Sequence, residues 1–349
     1  MSAPTLRPTG RTLIRVSGAS FLLRRRSIAV TMLLLAALAA AVAASLSFGR
    51  TFVAFPDVLD TVLGADTGYQ VTVNTLRLPR TVLAVVAGAA FGLAGSLIQS
   101  VARNPLASPD VIGVTQGAGL AATIALTGGL GIGVLVGSSL AGALLAALLV
   151  FAIAGRGGMG ANRFVLAGIA VAVALRAVTQ MFLISADAID AQRAQIWIIG
   201  TLSGRGWNET AMIAAAITVL LPALLWASSA MNSTALDDDT ARGLGVHVTR
   251  RRVGLAAIGI ALAAVATANV GAIEFVALVA PQVARRLTRT ERPPLLTAAL
   301  TGALLTVVAD LLGRNLFATP LPAGVVTAVL GGPYLILLLI RRGAKGTST

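Results

Sequence analysis

The sequence predicts an all-α polytopic membrane protein with about ten transmembrane helices, and three observations carry that prediction. Hydrophobic residues make up 56% of the chain and charged residues only 11%, where soluble domains carry about 25% charged residues. Apolar stretches of about 18 residues or more, each long enough to cross a hydrocarbon core of about 30 Å, recur along all 349 residues. The arginines behind the net charge of +14 stand in clumps between those stretches, as the positive-inside rule expects. That placement argues against nucleic acid as the partner and for membrane lipid. A transmembrane β-barrel needs short alternating segments, and these are absent.

Taken in order, residues 1–26 form a cytoplasmic tail, 27–342 the membrane domain and 343–349 a second cytoplasmic tail. The first span, about 27–48, follows six arginines and leaves the cytoplasm. It contains a cleavage-like AVAAS, but its length and the extended basic segment before it favour a retained helix over a signal peptide. Residues 49–76 carry Asp57, Asp60 and Asp66 and are placed outside. The second span starts near Pro79, a good first-turn proline, and ends near Val101. The third covers about 110–127, the fourth 132–154 and the fifth 163–185, with the Gly-rich GRGGMGAN turning inside between the last two. Residues 187–206 read as a short interfacial helix outside. The sixth span is about 208–229, and the loop 230–252 is cytoplasmic by its arginines. A seventh span, 253–272, is followed by a shorter apolar piece from Phe275 to Leu287. The ninth covers 295–312, Pro320 and Pro322 mark an outer turn, and the tenth runs to Ile340. Ten segments with both termini inside satisfy every basic cluster together.

The chain has no cysteine and a single histidine, His247, so neither disulfides nor a thiolate or multi-histidine metal site is available. There is no G-x-x-x-x-G-K-[ST] phosphate-binding loop. No catalytic constellation stands out, and the chain is not read as an enzyme.

The stretch RLPRTVLAVVAGAAFGLAGSLIQSVARNPLASPDVIGVTQGAG, the loop DDDTARGLGV, and GAIEFVALVAPQVARRL with the later ADLLGR and LPAGVVTAVLGGPY resemble the FecCD permease family. The resemblance covers residues 50–342. It implies the type II ABC importer permease fold and a membrane subunit of bacterial ABC importers for ferric siderophores, with haem or cobalamin as the alternative cargo. It also implies residence in the cytoplasmic (inner) membrane, an extracytoplasmic siderophore-binding protein, and a separate ATPase dimer that holds ATP and Mg, so that this chain binds no cofactor of its own. APQVARRL resembles the second permease of heterodimeric systems, which implies a second FecCD-type partner. An ion-coupled secondary transporter would instead need inverted repeats and midplane acids. Only a faint similarity joins GLAGSLIQSVARNPL to FVALVAPQVARRL.

The resemblance also assigns residues. Asn104 and Leu106 match the cytoplasmic gate; physically, Pro105 ends the helix before it and Asn104 can satisfy backbone groups freed at the turn, which is equally the description of a plain tight turn. Arg77, Arg80 and Arg314 match a pocket that receives carboxylates of the binding protein, chemistry that suits the guanidinium fork; interfacial snorkelling is the other reading. Asp238, Ala241 and Gly245, with Asp239 beside them, match the ATPase-coupling helix, and Gly245 suits a left-handed turn. The alternative, a diphosphate–Mg site in DDD, lacks a second acid where Ala241 and Arg242 stand. Arg176 and Gln180, one turn apart in the fifth span, and Glu274 are assigned to the substrate pathway, since an ionisable group at that depth is a functional hypothesis by default; a structural hydrogen bond to neighbouring carbonyls stays open for Arg176. Asp310 is expected to pair internally. Glu274 stands where the family commonly has a small residue, Ala277 where it has glycine, and Gln282 where histidine is frequent.

Overall fold

The computed structural model describes residues 11–16, 19–130, 132–155, 161–233, 238–290 and 294–346. The chain opens with an antiparallel hairpin, β1 (Arg11–Val16) and β2 (Ala19–Arg24), where the sequence reading had only a tail. Strand-forming Thr12, Ile14 and Val16 in the first half and Phe21 in the second favour pairing there. Fourteen α-helices follow among the described residues.

Helix α1 (Arg25–Ser47) is the first span, and only 17% of its apolar window is buried, so most of its surface is free to meet lipid. The segment expected as an outer loop contains α2 (Phe55–Val62), started by Pro56, and a π-helical stretch Val71–Arg77. The latter runs directly into α3 (Leu78–Ala102), making a continuous apolar helix of 32 residues whose apolar window is 78% buried. At about 1.5 Å per residue this exceeds a bilayer's core. The chain then forms α4 (Val114–Thr127), α5 (Ile132–Gly155) and α6 (Ala161–Ser185). The third span thus begins four residues later than expected, because Pro109–Gly113 is taken up by a turn. The turn GRGGMGAN lies mostly outside the described residues.

Helix α7 (Ala188–Ile199) is the short outer helix. The sixth span is two helices, α8 (Trp207–Val219) and α9 (Leu221–Ser233), bent by 53°. Pro222 is the cause: it has no N–H for the Thr218 carbonyl and its ring crowds that turn. After α10 (Asp238–Gly243) come α11 (Val248–Val270), α12 (Val276–Thr288), α13 (Leu295–Asn315) and α14 (Ala323–Gly346). Helix α14 continues through Gly343–Gly346, into the segment read as a C-terminal tail.

Six helices are long and apolar enough to span alone, and the bent α8–α9 pair makes a seventh; α4 and the described apolar part of α14 are shorter. Helix α3 is the central post, packed against α8, α11, α12 and α13. Its glycines make that approach possible. A Cβ on Gly88 would lie 2.4 Å from the Gly302 carbonyl oxygen of α13, and one on Gly302 would lie 2.2 Å from the Gly88 oxygen. Gly92 meets Ala298, and Gly95 meets the Ala277 carbonyl of α12, in the same way. Small residues at such spacing let backbones touch where no hydrophobic effect drives helices together.

Candidate functional site

At the C-terminal end of α1 three arginines converge. Arg77 Nη1 donates to the carbonyls of Leu46 at 2.6 Å and Ser47 at 2.9 Å, and its Nη2 to Thr51. Leu46 and Ser47 lie in the last turn of α1, where carbonyls lack a helical partner, although Ser47 also accepts from the Val53 N–H at 3.1 Å, and a cation suits the negative end of the helix. Arg77 is 6% exposed, so its fork is already occupied from within the chain. Arg80 grips Asp310 from the side, with Nε at 3.0 and 3.1 Å from the two carboxylate oxygens and Nη2 at 2.7 Å. Its Nη1 donates to Ser203 Oγ at 3.0 Å. Arg314, one turn after Asp310, has Nε 3.3 Å from the carboxylate but poorly aligned, and donates through Nη2 to the Ser45 carbonyl at 2.8 Å. The expected internal pairing of Asp310 is therefore present and serves two arginines. Ser45 and Ser203 join this cluster without having been singled out by sequence.

At the far end of α3 the helix stops at Arg103, in the left-handed region with φ 47°. Asn104 Oδ1 accepts the Leu106 N–H at 3.0 Å, and its own carbonyl accepts from Ala107 at 3.1 Å. Asn104 thus does for the backbone what its side chain suggests. Thr115 Oγ1 donates to Asp110 Oδ1 at 2.6 Å, tying the turn to the first turn of α4.

Leu106 and Asp110 line a cavity of about 440 Å³ with Arg176 of α6 and with Glu274 and Phe275 of the α11–α12 connection. The connection is not helical: Gly271 has φ 74° and Phe275 φ 66°, and Ile273, Glu274 and Val276 donate two residues back. Irregular backbone within a membrane domain is tolerated where it lines a cavity. Arg176 and Glu274 therefore share one space, but among the described residues no ion pair joins them. Both are exposed in the isolated chain, so Arg176 is not the buried guanidinium its mid-span position suggests. Gln180 is exposed on α6 but does not line this cavity. Asp110 and Phe275 were not anticipated; a charged residue next to the helix-breaking Pro109 was the available signal for the first.

Behind the cavity a buried amide ladder ties α3 to α12. Gln99 donates to the Leu278 carbonyl at 3.0 Å, Gln282 donates to Gln99 Oε1, and Arg285 donates to Gln282 Oε1 at 3.0 Å.

Helix α10 ends in a paired motif. Val246 N–H bonds the Ala241 carbonyl and Gly245 N–H the Arg242 carbonyl, both at 2.9 Å, with Gly245 at φ 75°. This is a Schellman end, which needs a left-handed residue at that position. Ala241 is fully buried, so it packs within the chain. The outward face consists of Asp239, Thr240 and the apolar Leu244, 68% exposed. Asp239 pairs with Arg242 at 3.1 Å. The side chain of Asp238 lies outside the described residues. Ser203, in the arginine cluster, stands just before α8, so the bent α8–α9 pair carries the chain from that cluster to the opposite end, where α10 follows.

A model of the FecCD transport family matches residues 34–341. The chain is 38% identical over 331 residues to the ferric enterobactin transport system permease protein of Escherichia coli, covering 92% of this chain and 98% of that one. It is 37% identical over 299 residues to the Fe(3+)-citrate import system permease protein of Bacillus subtilis, covering 84% and 90%. Among solved structures, an inward-facing metal-chelate type ABC transporter superposes with a TM-score of 0.79 at 24% identity, over 90% of this chain and 99% of that one. That likeness is one of fold.

Proposed function

The chain belongs to the FecCD transport family, and on that premise we propose that it is the permease subunit of an ATP-driven importer carrying a ferric siderophore into the cytoplasm. The observation that carries the reading is the family match along almost the whole multi-pass membrane domain, joined to relatives whose names specify ferric enterobactin and Fe(3+)-citrate.

In this reading the arginine cluster faces outward in the bacterial inner membrane, and both termini are cytoplasmic. The substrate-binding protein docks over Arg80 and Arg314, whose side chains are 19% and 12% exposed. Arg77 braces the patch from beneath. Asn104 and Leu106 form this chain's part of the cytoplasmic gate. The exposed face of α10, with Asp239 and Leu244, meets the ATPase dimer, while Ala241 and Gly245 set the helix against the rest of the chain. ATP and Mg belong to that ATPase. A second FecCD-type permease completes the pathway opposite α6 and the α11–α12 connection. Support for this last point is the exposure of Arg176 and Glu274, which line the cavity in the isolated chain.

Reconstitution in proteoliposomes tests the function. The chain with its ATPase, second permease and binding protein should accumulate a ferric siderophore only with ATP, and the chain alone should hydrolyse none. Uptake driven by a proton or sodium gradient without ATP overturns the proposal.

A further inference from the structure

The bend at Leu220 has a consequence on the lipid-facing side. Helix α9 leans away from α3 and α13 and leaves between them a groove of about 960 Å³. Its floor is apolar and deep: Leu93 is 7% exposed, Leu224 6% and Met231 4%. Its rim is apolar too, with Leu225 and Leu296 each more than 60% exposed. At one end the groove reaches Arg24, the only charged side chain among its described lining residues.

Arg24 is held in place there. The first turn of α1 is fastened to the end of α12 by Arg26 Nε, which donates to the Leu287 carbonyl at 2.8 Å, and Arg24 Nη1 approaches the Arg289 carbonyl at 3.5 Å. A guanidinium carries five N–H donors, so this contact leaves most of the Arg24 fork for another partner. Arg25 and Arg289, both exposed, stand beside it. The site therefore combines an apolar trough running along membrane-spanning helices with positive charge at a single end, on the side where the arginine clumps place the cytoplasm.

We propose that this groove binds one anionic phospholipid of the cytoplasmic leaflet, with an acyl chain along Leu93, Leu224 and Met231 and the headgroup phosphate on Arg24. Charge complementarity selects the headgroup: a phosphate takes the planar fork in paired hydrogen bonds, and a net negative lipid gains from each nearby arginine what a zwitterionic lipid does not. The trough selects a chain-bearing ligand over a soluble anion. The inference depends on the chain spanning a membrane and not on what it transports.

Native mass spectrometry of the full chain released from detergent decides the matter, with dioleoyl phosphatidylglycerol and dioleoyl phosphatidylcholine as probes. The glycerol lipid should be retained several-fold more tightly. Arg24→Gln, at an exposed position that leaves the interior untouched, should weaken its retention about fivefold, the equivalent of about 1 kcal/mol for one basic residue at the membrane surface, with a smaller effect on the choline lipid, whose quaternary ammonium offsets its phosphate charge. Ser228→Trp, on the groove side of α9, should weaken both by obstructing the trough. Equal retention of the two lipids by the unaltered chain overturns the proposal, as does glycerol-lipid retention unchanged in either variant.

Discussion

Arg80 and Asp310 join α3 to α13 through a bidentate contact, the shortest arm 2.7 Å, on a carboxylate that is only 2% exposed. The same carboxylate faces Arg314. Removing it leaves two guanidinium groups together with no anion between them, and loss of one partner from a buried pair costs about 3–5 kcal/mol. Arg80 keeps some access to water, so Asp310→Ala is expected to lower unfolding free energy in mild detergent by about 3 kcal/mol. Denaturant titration followed by circular dichroism measures it. An unchanged midpoint means the pair does not hold the two helices.

The glycine contact between α3 and α13 gives a second prediction. Gly302→Val places a branched side chain against the Gly88 carbonyl, where even a Cβ would lie 2.2 Å away. Overpacking of this kind costs about 1–3 kcal/mol or more, read as a lowered thermal midpoint. Gly137→Ala on α5, where an added Cβ meets nothing within 4 Å, should be neutral or slightly stabilising. Equal effects from the two changes defeat the packing argument.

Much of this architecture was legible in advance and some was not. Hydropathy and arginine clumps located the membrane segments, and Pro105 with Asn104 specified the turn after α3, because these signals are local. The bend at Leu220 was missed although Pro222 stands in plain view, since a proline in an apolar run ends or kinks a helix and only packing decides which. Asp310 was expected to find a partner, but Arg80 lies 230 residues away and no periodicity identifies such a pairing. The cavity shared by Leu106, Asp110, Arg176 and Glu274 draws on three separate parts of the chain. Residue chemistry nominated Arg176 and Glu274, and the family resemblance Leu106; their meeting depends on how α6 and the α11–α12 connection pack.

The segment proposed to meet the ATPase supplies a third test. Val at position 245 must adopt φ near +75°, at a cost of about 1–2 kcal/mol, or unwind the Schellman end of α10. Gly245→Val should therefore reduce substrate-stimulated ATP hydrolysis by the assembled importer several-fold while the complex still purifies. Gly243→Ala, with ordinary backbone and open space around it, should leave hydrolysis near the original level. Full stimulation in Gly245→Val removes α10 from the coupling route.

Arg176 provides the fourth. It is exposed on α6 and lines the cavity that also holds Glu274 and Asp110; among the described residues it forms no ion pair, so Arg176→Gln should assemble normally. If its charge attracts cargo, uptake of an anionic ferric siderophore should fall by about fivefold or more, from the loss of roughly 1 kcal/mol of charge attraction, while a neutral one continues. Equal loss for both cargoes, with normal assembly, denies it a part in selecting charge.

The backbone contacts of α3 also restrict how this molecule can move. Helices that touch at Gly88, Gly92 and Gly95 have no side-chain cushion between them, so sliding one past another drives carbonyl into carbonyl within a fraction of an ångström. Such a joint transmits force without play. The pieces of backbone free to yield are those without a helical ladder, above all Gly271–Phe275, held by bonds that reach back two residues. On the proposed coupling role of α10, tension applied through α10 and α11 at one end would pass along a stiff shaft to that break, beside Glu274, where a small change in torsion moves the connection itself and reshapes the cavity wall, while α12 stays seated on α3 through the Gly95–Ala277 contact.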